Sequence, residues 1–168
     1  MWSSDAPSRL GRRGLLALAG AALAGCGFQL RQTPRLAFDS IALTGFAPRS
    51  LLAEELRQQL ALQVRVLPSP DAATLVLHAL EDQRERSAVA TTSTAEVREV
   101  QLTVKIKFRV RTPAGRELIA PTELAAGRSM SFRESSALAK EFEEAELYRE
   151  MQSDLVSQLL RRLAALTV

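Results

Sequence analysis

Between Val100 and Val110 the chain reads "VQLTVKIKFRV", and every second residue, Val100, Leu102, Val104, Ile106, Phe108 and Val110, is apolar. The residues between them, Gln101, Thr103, Lys105, Lys107 and Arg109, are polar or charged. Successive side chains of an extended strand point to opposite faces, so this alternation describes a strand with one dry and one wet face. Such a strand cannot stand alone in water. It needs neighbours to take its backbone hydrogen bonds and an apolar layer to cover the dry face.

Both can be found in the same chain. "LAFDSIALTGF" (36–46) is rich in β-branched and apolar residues and closes on Thr44-Gly45, which predicts a short strand. Pro48 suits the first turn of a helix, and Leu52, Leu56 and Leu60 then recur at spacing four, with Glu54, Arg57 and Gln58 turned away. That helix should stop before Pro68 and Pro70. "ATLVLHALEDQRERSAVA" (73–90) reads as a strand for its first half at least, Leu75, Leu77 and Ala79 alternating with Val76, His78 and Leu80. Pro113-Ala114-Gly115 makes a turn, so "RELIAPTELAAGRSMSF" should return antiparallel to the central strand, with Pro121 marking a bulge or an edge. From about Ser136 the period becomes helical: Leu138, Phe142, Ala145, Tyr148, Met151, Leu155, Leu159 and Leu163 step by three or four. Ser135 or Ser136 can cap this helix, with Glu141, Glu143 and Glu144 near its positive end and Arg161 and Arg162 near its negative end. The order β-α-β-β-β-α predicts an α+β fold, with two helices packed on one face of a four-stranded, mostly antiparallel (mixed) sheet.

The first 25 residues follow a different pattern. Arg9, Arg12 and Arg13 precede a run of small and apolar residues, 14–25, shorter than the roughly 20 apolar residues a membrane-spanning helix needs. A basic start, a short apolar run and small residues at its end describe an export signal. Arg12-Arg13 also suggests a twin-arginine signal, but Gly11 before the pair and Gly14-Leu15 after it fit that motif poorly, which points to the general export route. Leu23-Ala24-Gly25-Cys26 resembles the lipobox of bacterial lipoproteins. The resemblance implies cleavage before Cys26 and acylation of its thiol, and Gly27, in place of an aspartate, favours the outer membrane. The other reading makes Cys26, the only cysteine, a small hydrophobe or an odd thiol at the end of an apolar run. The expected organisation is thus a cleaved leader at 1–25, an acylated tether at 26–35 and one domain at 36–168. Without the leader's three arginines and one aspartate, 19 basic and 18 acidic residues remain, so the high overall pI does not indicate a nucleic-acid binder.

Catalytic signatures are sparse. His78, the single histidine, lies mid-strand with no cysteine or second histidine to share a metal, and no G-x-S-x-G elbow presents a serine to it. The carboxylates of "ALEDQRER" and "EFEEAE" fall where a solvated face is expected, and no glycine-rich phosphate loop is present. We therefore expect no enzyme, cofactor or metal. The remaining feature is a basic row, Lys105, Lys107 and Arg109, continued by Arg111, on the wet side of the central strand. It reads either as a solubilising surface that discourages edge pairing or as an anion-facing one. Phe108, the strand's aromatic, faces inward, which disfavours single-stranded nucleic acid.

"CGFQLR" at the acylated start, "TAEVREVQLTVKIKFRV", "GRELIAP", "RSMSF" and above all "ALAKEFEEAELYREMQSDLVSQLLRRL" together resemble the outer-membrane lipopolysaccharide-assembly lipoproteins of the LptE family. The resemblance implies a lipid-anchored protein on the periplasmic side of the outer membrane. There it would plug the lumen of the LptD β-barrel, help that barrel fold, and bind lipopolysaccharide during delivery to the outer leaflet. Lys140, in "ALAK", matches a basic position of the family pattern and becomes the first lipopolysaccharide candidate. Arg84, Arg86, Arg98 and Arg133 follow, expected towards strand ends on the helix-free side or rim, together with Lys105 and Lys107 of the basic row. Two other readings remain: a structural or scaffolding lipoprotein of another envelope machine, in barrel assembly or secretion, and a lipid-anchored hydrolase.

Overall fold

A computed structural model describes residues 34–91, 97–131 and 137–167. In chain order they form β1 (Ser40–Thr44), α1 (Leu51–Ala61), β2 (Arg65–Leu67), β3 (Leu75–Thr91), β4 (Val97–Arg111), β5 (Glu117–Ser131) and α2 (Ala137–Ala164). The expected leader, Cys26, most of the expected tether, Arg133 and the expected caps Ser135 and Ser136 lie outside the described residues.

β4 behaves as its alternation requires. Val100, Leu102, Val104, Ile106, Phe108 and Val110 are all buried, and the residues between them are half-exposed. β3 and β5 flank it antiparallel. Pro121 sits on β5, an edge strand, beside the register shift that separates the Phe108–Thr122 and Val110–Ile119 pairs. A proline without an N–H to donate is tolerated at both kinds of place. Gly115, at φ 92°, makes the turn between β4 and β5.

The sheet has five strands in the order β2-β1-β3-β4-β5, not four, with β1 parallel to both of its neighbours. The additional strand is Arg65–Leu67, in the segment where the sequence showed only the end of a helix. Three residues are too few to display a period. They pair because α1 carries the chain back alongside β1, the crossover that parallel strands require, and the Arg65 N–H donates to Asp39 O at 3.0 Å. α1 starts later than Pro48 suggested. Ser50 is its cap, accepting from the Ala53 N–H at 3.0 Å, an arrangement worth about 1 kcal/mol. Its buried face is Leu52, Ala53, Leu56 and Leu60.

The buried stripe of α2 runs through Tyr148, Met151, Leu155, Leu159 and Leu163, joined by Val156 and Leu160. Phe142 and Ala145, which the period also placed on it, do not join it: Phe142 is 79% exposed and Ala145 is exposed as well, while the side chain of Leu138 lies outside the described residues. The cause lies in the sheet beneath. Between Ala79 and Glu81 the β3–β4 register slips by one residue, leaving Leu80 as the inserted one. A one-residue slip exchanges the two faces of everything after it. Asp82, Arg84 and Arg86 consequently become register partners of the core residues Ile106, Val104 and Leu102. The first turns of α2 therefore meet charged side chains, and meet them with Glu144 and Tyr148 instead of Phe142.

Candidate functional site

The same slip relocates two of the candidate residues. Arg84 and Arg86 were expected on the helix-free side or rim; they lie on the helix side of the sheet. The Arg84 guanidinium carbon stacks 4.0 Å from the centroid of the Tyr148 ring, and Arg86 Nε donates to Glu144 Oε2 at 3.1 Å. Tyr148 in turn donates its hydroxyl to Glu85 O at 2.8 Å. Burial and the nearby Glu144 carboxylate push the Tyr148 hydroxyl above its usual pKa, partly offset by Arg84 and Arg86, so it remains a neutral donor. Lys140 lies one turn before Glu144 on the same helix, half-buried and paired with Glu143 at 2.6 Å. Arg84 also contributes to the lining of an open groove of about 620 Å³ beside α1 and α2, together with Leu51, Glu55, Arg149 and Gln152. Gln152 Nε2 and Ser153 Oγ donate to the two Glu55 carboxylate oxygens at 2.6 and 2.7 Å, bracing the two helices. The groove had no signature in the sequence, because its walls come from three distant segments. The run "EDQRERS", charged on both parities of a strand, was the one sign that the alternation of β3 breaks.

The opposite face of the sheet carries the basic row. Lys105 and Lys107 are not free: Glu81 lies 3.7 and 3.8 Å from their ammonium groups, one carboxylate between two cations. Arg109 and Arg111 make no ion pair among the described residues, and both Nε atoms are buried without a partner. His78, the register partner of Arg109, has its Nδ1 3.0 Å from Thr44 Oγ1. Burial, then Arg109 and Arg111, hold its pKa below the ordinary value, so the imidazole is neutral at pH 7. Gly45, at φ 77°, closes over it. A Cβ there would lie 2.2 Å from Ala79 O and 2.8 Å from His78 Cε1, which makes glycine the residue the close approach admits.

The candidate cations thus divide between two faces. Arg84, Arg86 and Lys140 belong to the helix side, and Lys105 and Lys107 to the open side; the side chain of Arg98 and all of Arg133 fall outside the described residues. Among the described residues no three His, Cys, Asp or Glu side chains are placed to hold a metal, and no helix is long and apolar enough to cross a membrane.

The α+β fold recurs in known proteins. The solution structure of an uncharacterized lipoprotein B from Nitrosomonas europaea superposes with a TM-score of 0.69 at 25% identity, over 83% of this chain and 91% of that one. The rare lipoprotein B of Shewanella oneidensis shares the fold, with a TM-score of 0.61 at 24% identity over 76% of this chain and 95% of that one. In sequence, the chain is 31% identical over 152 residues to the LPS-assembly lipoprotein LptE of Photorhabdus laumondii, covering 89% of this chain and 82% of the relative. The family model described as LptE, lipopolysaccharide-assembly, matches residues 38–163, from just before β1 to the last turn of α2. A match that takes in every described strand, the whole of α1 and all but the last residue of α2 spans most of the chain: the chain belongs to the LptE family.

Proposed function

We propose that this chain, anchored to the outer membrane through acylated Cys26, seats in the lumen of an LptD β-barrel, assists its folding, and binds lipopolysaccharide during delivery to the outer leaflet. The family is one of lipopolysaccharide-assembly lipoproteins, not of enzymes. The observation that carries the reading is the extent of the match, residues 38–163. Lipopolysaccharide presents phosphates, which suit guanidinium and ammonium groups. On the helix side Arg84, Arg86 and Lys140 offer such groups, Arg84 in the wall of the groove between α1 and α2, and that side is where the ligand is assigned. The interior of a porin-like barrel is polar, so a sheet whose open face is charged can lie against such a wall.

The decisive experiment is affinity purification of the acylated chain from native membranes in mild detergent. A stoichiometric LptD barrel is the expected companion. Recovery of a different barrel or a secretion complex would instead select the scaffolding reading, and recovery of none would remove the plug assignment.

For the ligand, the double variant Arg84→Glu, Lys140→Asp should weaken lipopolysaccharide binding by about 1–3 kcal/mol, as expected for loss of hydrogen bonds to charged groups. Lys105→Glu with Lys107→Glu should change it little, because those ammonium groups lie on the opposite face of the sheet from Arg84 and Lys140. Titration of purified lipopolysaccharide against each variant checks both statements, and equal losses in the two would remove the assignment to the helix side.

A further inference from the structure

Arg109 and Arg111 are the cations of the open face for which the described residues supply no counterpart. The nearest carboxylates by register are Glu81 and Glu123, opposite Lys107, and Glu117, opposite Arg111. Glu81 is taken by the two lysines, and neither Glu117 nor Glu123 forms an ion pair with the arginines. Each guanidinium has an Nε withdrawn from water without an acceptor, which leaves its remaining N–H groups as the donors an incoming anion can meet. Their surroundings are built rather than incidental. Val76 lies opposite Arg111, and Ala42 beside Val76; both are buried, at 1% and 0% exposure, on the face of the sheet opposite α1 and α2. His78 and Thr44, hydrogen-bonded to each other, close one side, and the imidazole is neutral, so it does not compete for an anion.

We propose that this corner of the open face docks an extended acidic segment of a protein partner, each arginine taking one carboxylate. Residues i and i+2 of a strand project from one face roughly 7 Å apart, so Arg109 and Arg111 match carboxylates at alternate positions of another extended chain. A glycolipid phosphate held by Arg84 or Arg86 lies on the other side of the sheet and cannot reach this pair. That the partner is the barrel rests on the preceding reading; the carboxylate chemistry does not.

The test uses the full acylated chain in detergent and a dye-labelled strand peptide with glutamate at alternate positions, followed by fluorescence anisotropy. The expected result is binding that falls at least about tenfold, roughly 1.4 kcal/mol, in Arg109→Gln with Arg111→Gln. It should be absent with the glutamine version of the peptide and little changed in Lys105→Gln with Lys107→Gln. If the arginine-to-glutamine variant does not fold, Arg109→Lys with Arg111→Lys serves: charge is kept, the planar guanidinium fork is lost, and binding should still weaken several-fold. Equal binding by wild type and these variants, or no binding by wild type, overturns the proposal. Competition by inorganic phosphate at matched ionic strength as strong as by unlabelled peptide also overturns it, and assigns the pair to a phosphate. A chain that fails to recover the LptD barrel from membranes leaves this measurement standing, so the two readings fail separately.

Discussion

Leu155→Ala should lower the unfolding free energy by about 2–5 kcal/mol, the range for deleting most of a fully buried leucine and leaving a cavity. Leu155 has no exposed surface and sits in the middle of the α2 stripe, within the same core cluster as β4 residues Ile106 and Phe108 and α1 residues Leu56 and Leu60. The groups that would have to collapse into the space belong to separate elements tied by a long sheet, so relaxation is limited and the upper half of the range is expected. Domains of this size are stable by only about 5–15 kcal/mol, so the loss is a large fraction of the whole. Urea denaturation followed by circular dichroism measures it. Leu62→Ala, at a site 76% exposed, is the comparison and should stay within about 0.5 kcal/mol of wild type. Similar losses at the two sites would mean that α2 does not pack as described.

Where a single period governs an element, the sequence was a sufficient guide to that element. β4 alternates without interruption, and Leu52, Leu56 and Leu60 of α1 fall on one buried face, because in each case burial on one side is the whole reason for the pattern. The failures share another cause: they occur where an element answers to two partners at once. Leu80 is inserted in β3 where the strand runs past its pairing with β1, which ends at His78, and no local propensity distinguishes that residue from its neighbours. The insertion then turned Arg84 and Arg86 to the helices, and this in turn left Phe142 without an apolar surface to bury against. One bulge thus explains both a misplaced pair of candidate ligands and a broken helical stripe. β2 was hidden for a different reason, since its three residues owe their pairing to the chain's return through α1. The split of the basic row into lysines satisfied by Glu81 and arginines left unmatched could not be read from alternation, which gives all four the same face and says nothing of where a carboxylate across the strand will lie.

Cys26→Ala should move the chain, expressed without the proposed LptD partner, from the outer membrane to the soluble periplasmic fraction. The reasoning is additive. Burial of an acyl chain contributes about 0.8 kcal/mol per methylene, a single myristoyl-length chain binds only reversibly, and stable anchoring takes two attachments or one with a basic patch. No helix among the described residues is long and apolar enough to replace them, and the chain that follows the leader is nearly balanced in charge, so electrostatic adhesion to anionic headgroups is weak. Loss of the thiol should therefore remove nearly all of the attachment. Expression without the barrel matters, because a plug held inside its partner would stay in the membrane whatever its anchor. Fractionation that separates inner from outer membranes, with palmitate labelling, reads the outcome: label and outer-membrane recovery in wild type, neither in the variant. Protein retained at uncleaved size in the inner membrane would report a leader that was not removed. Mature variant still found in the outer membrane would show that something other than Cys26 holds it there, and the wet faces of the sheet would then have to be reconsidered as membrane surfaces.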